Sequence, residues 1–183
     1  MENVRWLGYE PYKITHSSDH FAELYELARL LIKKGFAYTS NDTGELSHLS
    51  SLIFVRLIQR AVFILGEEIN LQRGGPNHGP RYESKDRNKP IEQSLQEFED
   101  MKLGKYQPGE MTLRMKQDIL NSPNPTMWDI IAYRVLGKEH HRTGTEWKIY
   151  PTYDFTHCLC DSFENISYVF PSLLLSLSGE RGS

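Results

Sequence analysis

The clearest periodicity in the chain lies between Ser17 and Gly35. Phe21, Leu24, Leu27, Ala28 and Leu31 recur at helical spacing. Ser17-Ser18-Asp19 offers a start, and Lys33-Lys34-Gly35 offers cations and a glycine stop. The pattern predicts an amphipathic helix of about four to five turns. Asn3 to Tyr12, ahead of it, reads as strand or loop. The apolar run Phe36 to Thr39 after the glycine reads as a strand, and a helix leading into a strand is one half of a βαβ unit. Asn41-Asp42-Thr43-Gly44 is a turn. Residues 51–66 have helical length with apolar positions on all sides. Arg73 to Tyr82 is rich in glycine and proline and carries basic groups, and 83–89 is densely charged. That loop is a candidate for phosphate contact, and a solvated linker is the alternative. Pro90 predicts a second helix with Ile91, Leu95, Phe98 and Met101 on one face and Glu92, Glu97, Glu99 and Asp100 turned away, closed by Gly104. Met111 to Lys116 alternates as a half-buried strand does. Asp129 to Leu136 predicts another strand, and 138–145 a charged hairpin containing His140-His141-Arg142.

The chain is organised around Trp147 to Asp161. Trp147 to Tyr150 predicts a short buried strand, broken by Pro151 and Thr152. Asp154 is a candidate cap for a following helix, in which Phe155, Cys158, Leu159 and Ser162 recur at helical spacing. A strand feeding a helix through a tight turn is where α/β proteins place ligands. Tyr153 and His157 lie four apart, so one helical turn puts a phenol and an imidazole on one face. They are candidates to read a small polar ligand; a core aromatic with a hydrogen-bonded core histidine is the alternative.

Composition narrows this reading. The chain has 183 residues, 25% charged and 39% hydrophobic, which suits one globular domain or one with an insertion. A net charge of -3 and a pI near 6.2 give no global basic field for nucleic acid. No apolar run is long and uncharged enough to span a bilayer, and the polar start lacks a signal peptide, so no membrane partner is expected. The only cysteines are Cys158 and Cys160. One residue apart, they do not suggest a disulfide-built secreted protein, so a reducing, cytoplasmic location is expected. Zinc would draw on His140, His141, His157, Cys158 and Cys160, but Cys-x-Cys departs from the usual two-to-four-residue spacing, and no metal is expected. No Gly-x-Gly-x-x-Gly, Walker loop or Gly-x-Ser-x-Gly elbow occurs. A nucleophile at Cys158 beside His157 has poor geometry, and no catalytic residue is assigned.

Tyr150-Pro-Thr-Tyr-Asp-Phe-Thr-His-Cys-Leu-Cys-Asp161, followed by Ser162-Phe163-Glu164-Asn165-Ile166, resembles the active-site segment of the glutaminyl-tRNA synthetases. These are class I aminoacyl-tRNA synthetases with a Rossmann-type catalytic domain. Ile14 to Phe21, Leu31 to Tyr38, Pro90 to Met101, Gly109 to Lys116 and Ala132 to Gly144 are similar as well. The likeness covers about 1–44 and 73–166 and is of the eukaryotic cytosolic type. Related glutamyl enzymes lack the Thr156-His157-Cys158 continuation, which disfavours glutamyl specificity.

The resemblance implies an α/β fold: part of a class I synthetase Rossmann-type catalytic domain with an inserted α+β acceptor-stem-binding domain. It divides the chain into a catalytic part, 1–38, an insertion, 39–148, with 45–71 atypical, a return to the catalytic domain, 149–167, and an atypical tail, 168–183. It implies that Tyr153 and His157 help line a glutamine pocket. It implies glutamine, ATP with Mg2+ and the tRNA for glutamine as partners of the parent ligase. Arg73, Arg81, Lys85, Arg87 and Lys89 would meet tRNA phosphates in the insertion, with solvated surface charge as the alternative. The family's two nucleotide-binding signatures, His-x-Gly-His and a Lys-Met-Ser-Lys-Ser-like loop, are absent. An inactive fragment that binds ATP weakly is therefore expected, from a truncated gene or a message read through introns. The alternative is a non-catalytic tRNA- or protein-binding module derived from the synthetase.

Overall fold

The computed structural model describes residues 2–42 and 80–167. The apolar run 51–66, the atypical stretch 45–71, Arg73 and the tail 168–183 lie outside the described residues.

Helix α1 spans Glu2–Trp6, where strand or loop was expected, and none of its residues is buried. A 3-10 turn, Ser17–His20, then leads into α2, Phe21–Lys33. The buried stripe of α2 is Phe21, Leu24, Tyr25, Ala28 and Ile32, while Leu27 and Leu31 are only half-buried. Tyr25 joins the stripe because it stacks on Phe98, with centroids 5.1 Å apart. Gly35 ends the helix at φ 76°, where its own N–H bonds the Ile32 carbonyl and Phe36 N–H bonds that of Leu31, both at 2.9 Å. This paired closure needs a left-handed residue, which glycine adopts without strain.

Strand β1, Ala37–Ser40, follows. Helix α3 spans Ile91–Lys102, β2 Thr112–Met115, β3 Ile131–Val135, β4 Ile149–Pro151 and α4 Tyr153–Phe163. The described sheet has the order β1-β2-β3-β4 with every neighbouring pair antiparallel. The helix-to-strand passage at Gly35 therefore enters an antiparallel meander and not a βαβ crossover. The α/β class stands, with mixed helices packed on this sheet.

An aromatic series joins the elements. Tyr25 of α2 meets Phe98 of α3, Phe98 meets Tyr133 of β3 at 5.3 Å, and Tyr133 meets Phe155 of α4 at 5.5 Å. Offset and edge-to-face pairs of this kind contribute roughly 0.5–1.5 kcal/mol each beyond their area burial. Helix α3 deviates from its expected face. Ile91 is exposed, Ser94 is buried, and Glu97 turns toward the sheet, where its carboxylate accepts from Thr39 Oγ1 at 2.5 Å and Lys89 Nζ at 2.9 Å.

The alternation expected of β2 also fails at Arg114, which is only 2% exposed. Its guanidinium lies 3.4 Å from the Asp42 carboxylate, and its Nε donates to the Asp129 carbonyl at 2.8 Å. Asp129 itself does not enter a strand. It is buried at φ 46° and accepts from Tyr38 Oη at 2.9 Å, from the Gln117 N–H at 2.8 Å and from Arg87. Two hidden carboxylates and their donors thus occupy a position where the alternating pattern predicts water. Burial of such groups is tolerated because each is hydrogen-bonded and paired.

Candidate functional site

Strand β4 delivers the chain to α4. Pro151 is the last residue of the strand and pairs with Tyr133, so it does not break it. Thr152 N–H donates to the Ala132 carbonyl at 2.9 Å and Leu136 N–H to that of Lys148 at 3.2 Å. Antiparallel ladders alternate bonded and non-bonded pairs, which puts Pro151 opposite Tyr133 at a non-bonded place. Its missing N–H therefore costs the ladder nothing.

Thr152, not Asp154, is the N-cap of α4, and no side chain caps the helix. Thr152 Oγ1 turns instead to β3 and donates to the Ile131 carbonyl at 2.6 Å. Phe155 and Thr156 form the buried side of the first turn, with Leu159 and Cys160 packed against the core beyond them. Cys158 and Ser162, assigned to the apolar face by spacing, are exposed. Buried aromatic packing at Phe155 rotates the helix so that the opposite side carries Tyr153 and His157.

Those two rings stack with centroids 5.1 Å apart and an interplanar angle of 22°. Tyr153 is 74% exposed and His157 half-buried. The alternative of a core aromatic with a core histidine does not hold. His157 Nδ1 lies 3.3 Å from the Cys158 sulfur. A phenol and an imidazole on one open helical face supply hydrogen-bond donors and acceptors side by side.

Toward the other end of α4, Glu164 accepts from Thr15 Oγ1 at 2.9 Å and lies 3.4 Å from His20 Nε2. These contacts tie the segment before α2 to the end of α4. A hollow of about 600 Å³ opens there among Lys13, Thr15, His20, Phe163 and Asn165. Tyr153 and His157 do not line it.

The other candidates are placed apart from this face or are committed elsewhere. Arg142 bonds Asp19 and Ser18, both at 2.7 Å, so it fixes the hairpin to the turn before α2. His140 stacks on Tyr150 at 5.5 Å. Burial, together with His141 and Arg142, lowers its pKa and favours the neutral ring. Cys160 faces the core, and burial first, then Glu164 and Asp161, raises its thiol pKa. Among the described residues no three His, Cys, Asp or Glu side chains gather in a way that could hold a metal.

Four of the basic residues singled out for phosphate contact are described. Arg87 is paired with Asp129 and Glu83 and donates to the Gln117 carbonyl at 2.7 Å. Lys89 is paired with Glu97 and Asp86. Arg81 donates to the Ser122 carbonyl and lies over the Trp128 ring at 4.8 Å. Lys85 is exposed. Arg87 and Lys89 thus hold the 80–89 segment onto the sheet. Sequence reasoning missed this role because their acidic partners, Asp129 and Glu97, lie in other segments of the chain.

Comparison with known proteins bears on the same segments. The family profile of the tRNA synthetases class I (E and Q), catalytic domain, matches residues 1–50 and 61–173. The glutamine–tRNA ligase of Saccharomyces cerevisiae is 52% identical over 181 residues, covering 97% of this chain and 20% of that protein. A probable glutamine–tRNA ligase of Schizosaccharomyces pombe is 54% identical over 165 residues, covering 90% and 18%. The cytoplasmic glutamine–tRNA ligase of Arabidopsis thaliana is 40% identical over 167 residues, covering 91% and 18%. The chain therefore spans about a fifth of the length of these relatives. It belongs to the catalytic-domain family of the class I tRNA synthetases for glutamate and glutamine.

Proposed function

We propose that the chain is a segment of a glutamine–tRNA ligase and that Tyr153 and His157 read the side-chain amide of glutamine. The observation that carries this reading is the stacked pair at the start of α4, with Tyr153 exposed and His157 half-buried beside it. The relatives are named as glutamine–tRNA ligases, which supports the same substrate.

The chemistry is one of complementary donors. A carboxamide offers an NH2 and a carbonyl, whereas a carboxylate offers acceptors alone. The Tyr153 hydroxyl and one nitrogen of the His157 ring accept from the NH2. Glutamate in the same place faces those acceptors with an oxyanion. A site built on hydrogen bonds rejects the mismatched ligand by up to roughly 10⁴-fold, far more than an apolar pocket achieves.

In the complete ligase the reaction activates glutamine with ATP and Mg2+ and transfers it to the terminal ribose of its tRNA. ATP and tRNA are substrates of that larger protein. In this reading residues 1–38 and 149–167 contribute to the catalytic domain, 39–148 form the acceptor-stem insertion, and the protein works in the cytoplasm. No step at the ATP phosphates is assigned to Arg87, Lys89 or Arg142, because each is held in ion pairs within the chain.

Titration of the 183-residue chain with glutamine and with glutamate, followed by NMR, tests the pocket. Binding of glutamine, absence of glutamate binding and loss of the preference in Tyr153→Phe and His157→Ala are expected. Equal response to both amino acids would overturn the reading.

A further inference from the structure

We infer that Thr152 is a positioning residue, whose hydroxyl clamps the first turn of α4 to β3 and so sets where Tyr153 and His157 stand. This rests on the reading of those two side chains as the amide readers. Threonine at an N-cap ordinarily accepts a hydrogen bond from an N–H of the first helical turn. Thr152 holds the N-cap place with extended backbone, φ -83° and ψ 162°, yet its side chain makes no such bond. The hydroxyl donates the other way, to the Ile131 carbonyl at 2.6 Å, and lies 3.5 Å from that of Ala132.

The rest of Thr152 also spans the junction. Its N–H donates to the Ala132 carbonyl at 2.9 Å, and its own carbonyl accepts from Phe155 N–H at 3.2 Å and Thr156 N–H at 3.1 Å. Backbone donor, backbone acceptor and side chain together join strand to helix within one residue. Tyr153 follows directly and is 74% exposed, so its location depends on the backbone that carries it. Binding groups hold their geometry when supporting hydrogen bonds lock the element beneath them. On β3 the clamp lands beside the Asp129 cluster, whose buried bonds fix the start of that strand.

The test compares the 183-residue chain with Thr152→Val, which keeps the shape and removes the donor, and Thr152→Ser, which keeps the donor. Glutamine affinity and amide hydrogen exchange along α4 are both read by NMR. Thr152→Val is expected to weaken glutamine binding about fivefold, the equivalent of one neutral hydrogen bond, and to speed exchange at Phe155, Thr156 and His157. Thr152→Ser is expected to restore both, while protection in α2 stays unchanged in each variant. Unchanged exchange in Thr152→Val, no rescue by serine, or a parallel loss of protection in α2 would overturn the clamp. Failure of the unaltered chain to prefer glutamine over glutamate overturns the pocket instead, and the exchange comparison still judges the clamp.

Discussion

Asp129 shows how much one residue organises. Its carboxylate and carbonyl take bonds from Tyr38, Arg87, Arg114 and Gln117, which come from three separate parts of the chain. Removing one partner of a buried ion pair leaves the other uncompensated and costs roughly 3–5 kcal/mol. Asp129→Ala is expected to lose stability on that scale, measured by urea unfolding. Tyr153 behaves oppositely. Its ring is mostly in solvent, so Tyr153→Phe should leave the unfolding midpoint within about 0.5 kcal/mol of the parent chain. A stable variant that loses only its preference for glutamine separates recognition from folding at this position.

At the level of elements, α3 is pinned to β1 by one half-buried carboxylate. Burial pushes the Glu97 carboxyl up, but hydrogen bonds from Lys89, Thr39 and Gln93 outweigh it and hold its pKa below the ordinary carboxylate value. The native state therefore binds this proton more weakly than the unfolded chain does. Its contribution to stability is complete above about pH 4.5 and is lost as pH falls through the native pKa. Thermal unfolding of the chain and of Glu97→Gln should converge as pH falls from 6 toward 3, by roughly the amount this one group contributes. A difference independent of pH would contradict the assignment. The end of α2 offers a second check. Gly35→Ala places a Cβ at φ 76° and is expected to cost about 1 kcal/mol, read by denaturant unfolding.

For the whole molecule, the central fact is proportion. The chain spans about a fifth of its relatives. The purified 183-residue chain is expected to show no glutamine-dependent pyrophosphate exchange, and turnover in that assay would refute this. Of the four described basic groups, Arg87 and Lys89 are engaged internally, so few cations are left for phosphates and acceptor-stem RNA should bind weakly and with a shallow dependence on salt. A salt-independent interaction would point to contacts other than phosphate pairing. The aromatic series from Tyr25 to Phe155 links α2, α3, β3 and α4, so truncation of Phe98 should loosen the candidate site from a distance.

The sequence by itself determined α2, α3, the strands after Gly35 and before Pro151, and the pairing of Tyr153 with His157 on one helical turn. These are local properties, carried by periodicity, stops and spacing. Its motifs also carried the likeness to the glutaminyl synthetases, because a run such as Tyr153 to His157 is contiguous. Only the tertiary structure decided that β1 enters an antiparallel meander, since strand pairing depends on partners more than seventy residues away. Arg114 and Glu97 look like surface charges in any local pattern, and they are hidden because Asp42, Asp129, Thr39 and Lys89 come to meet them. The same holds for Thr152, which reads as a turn residue until β3 supplies the carbonyl that its hydroxyl holds.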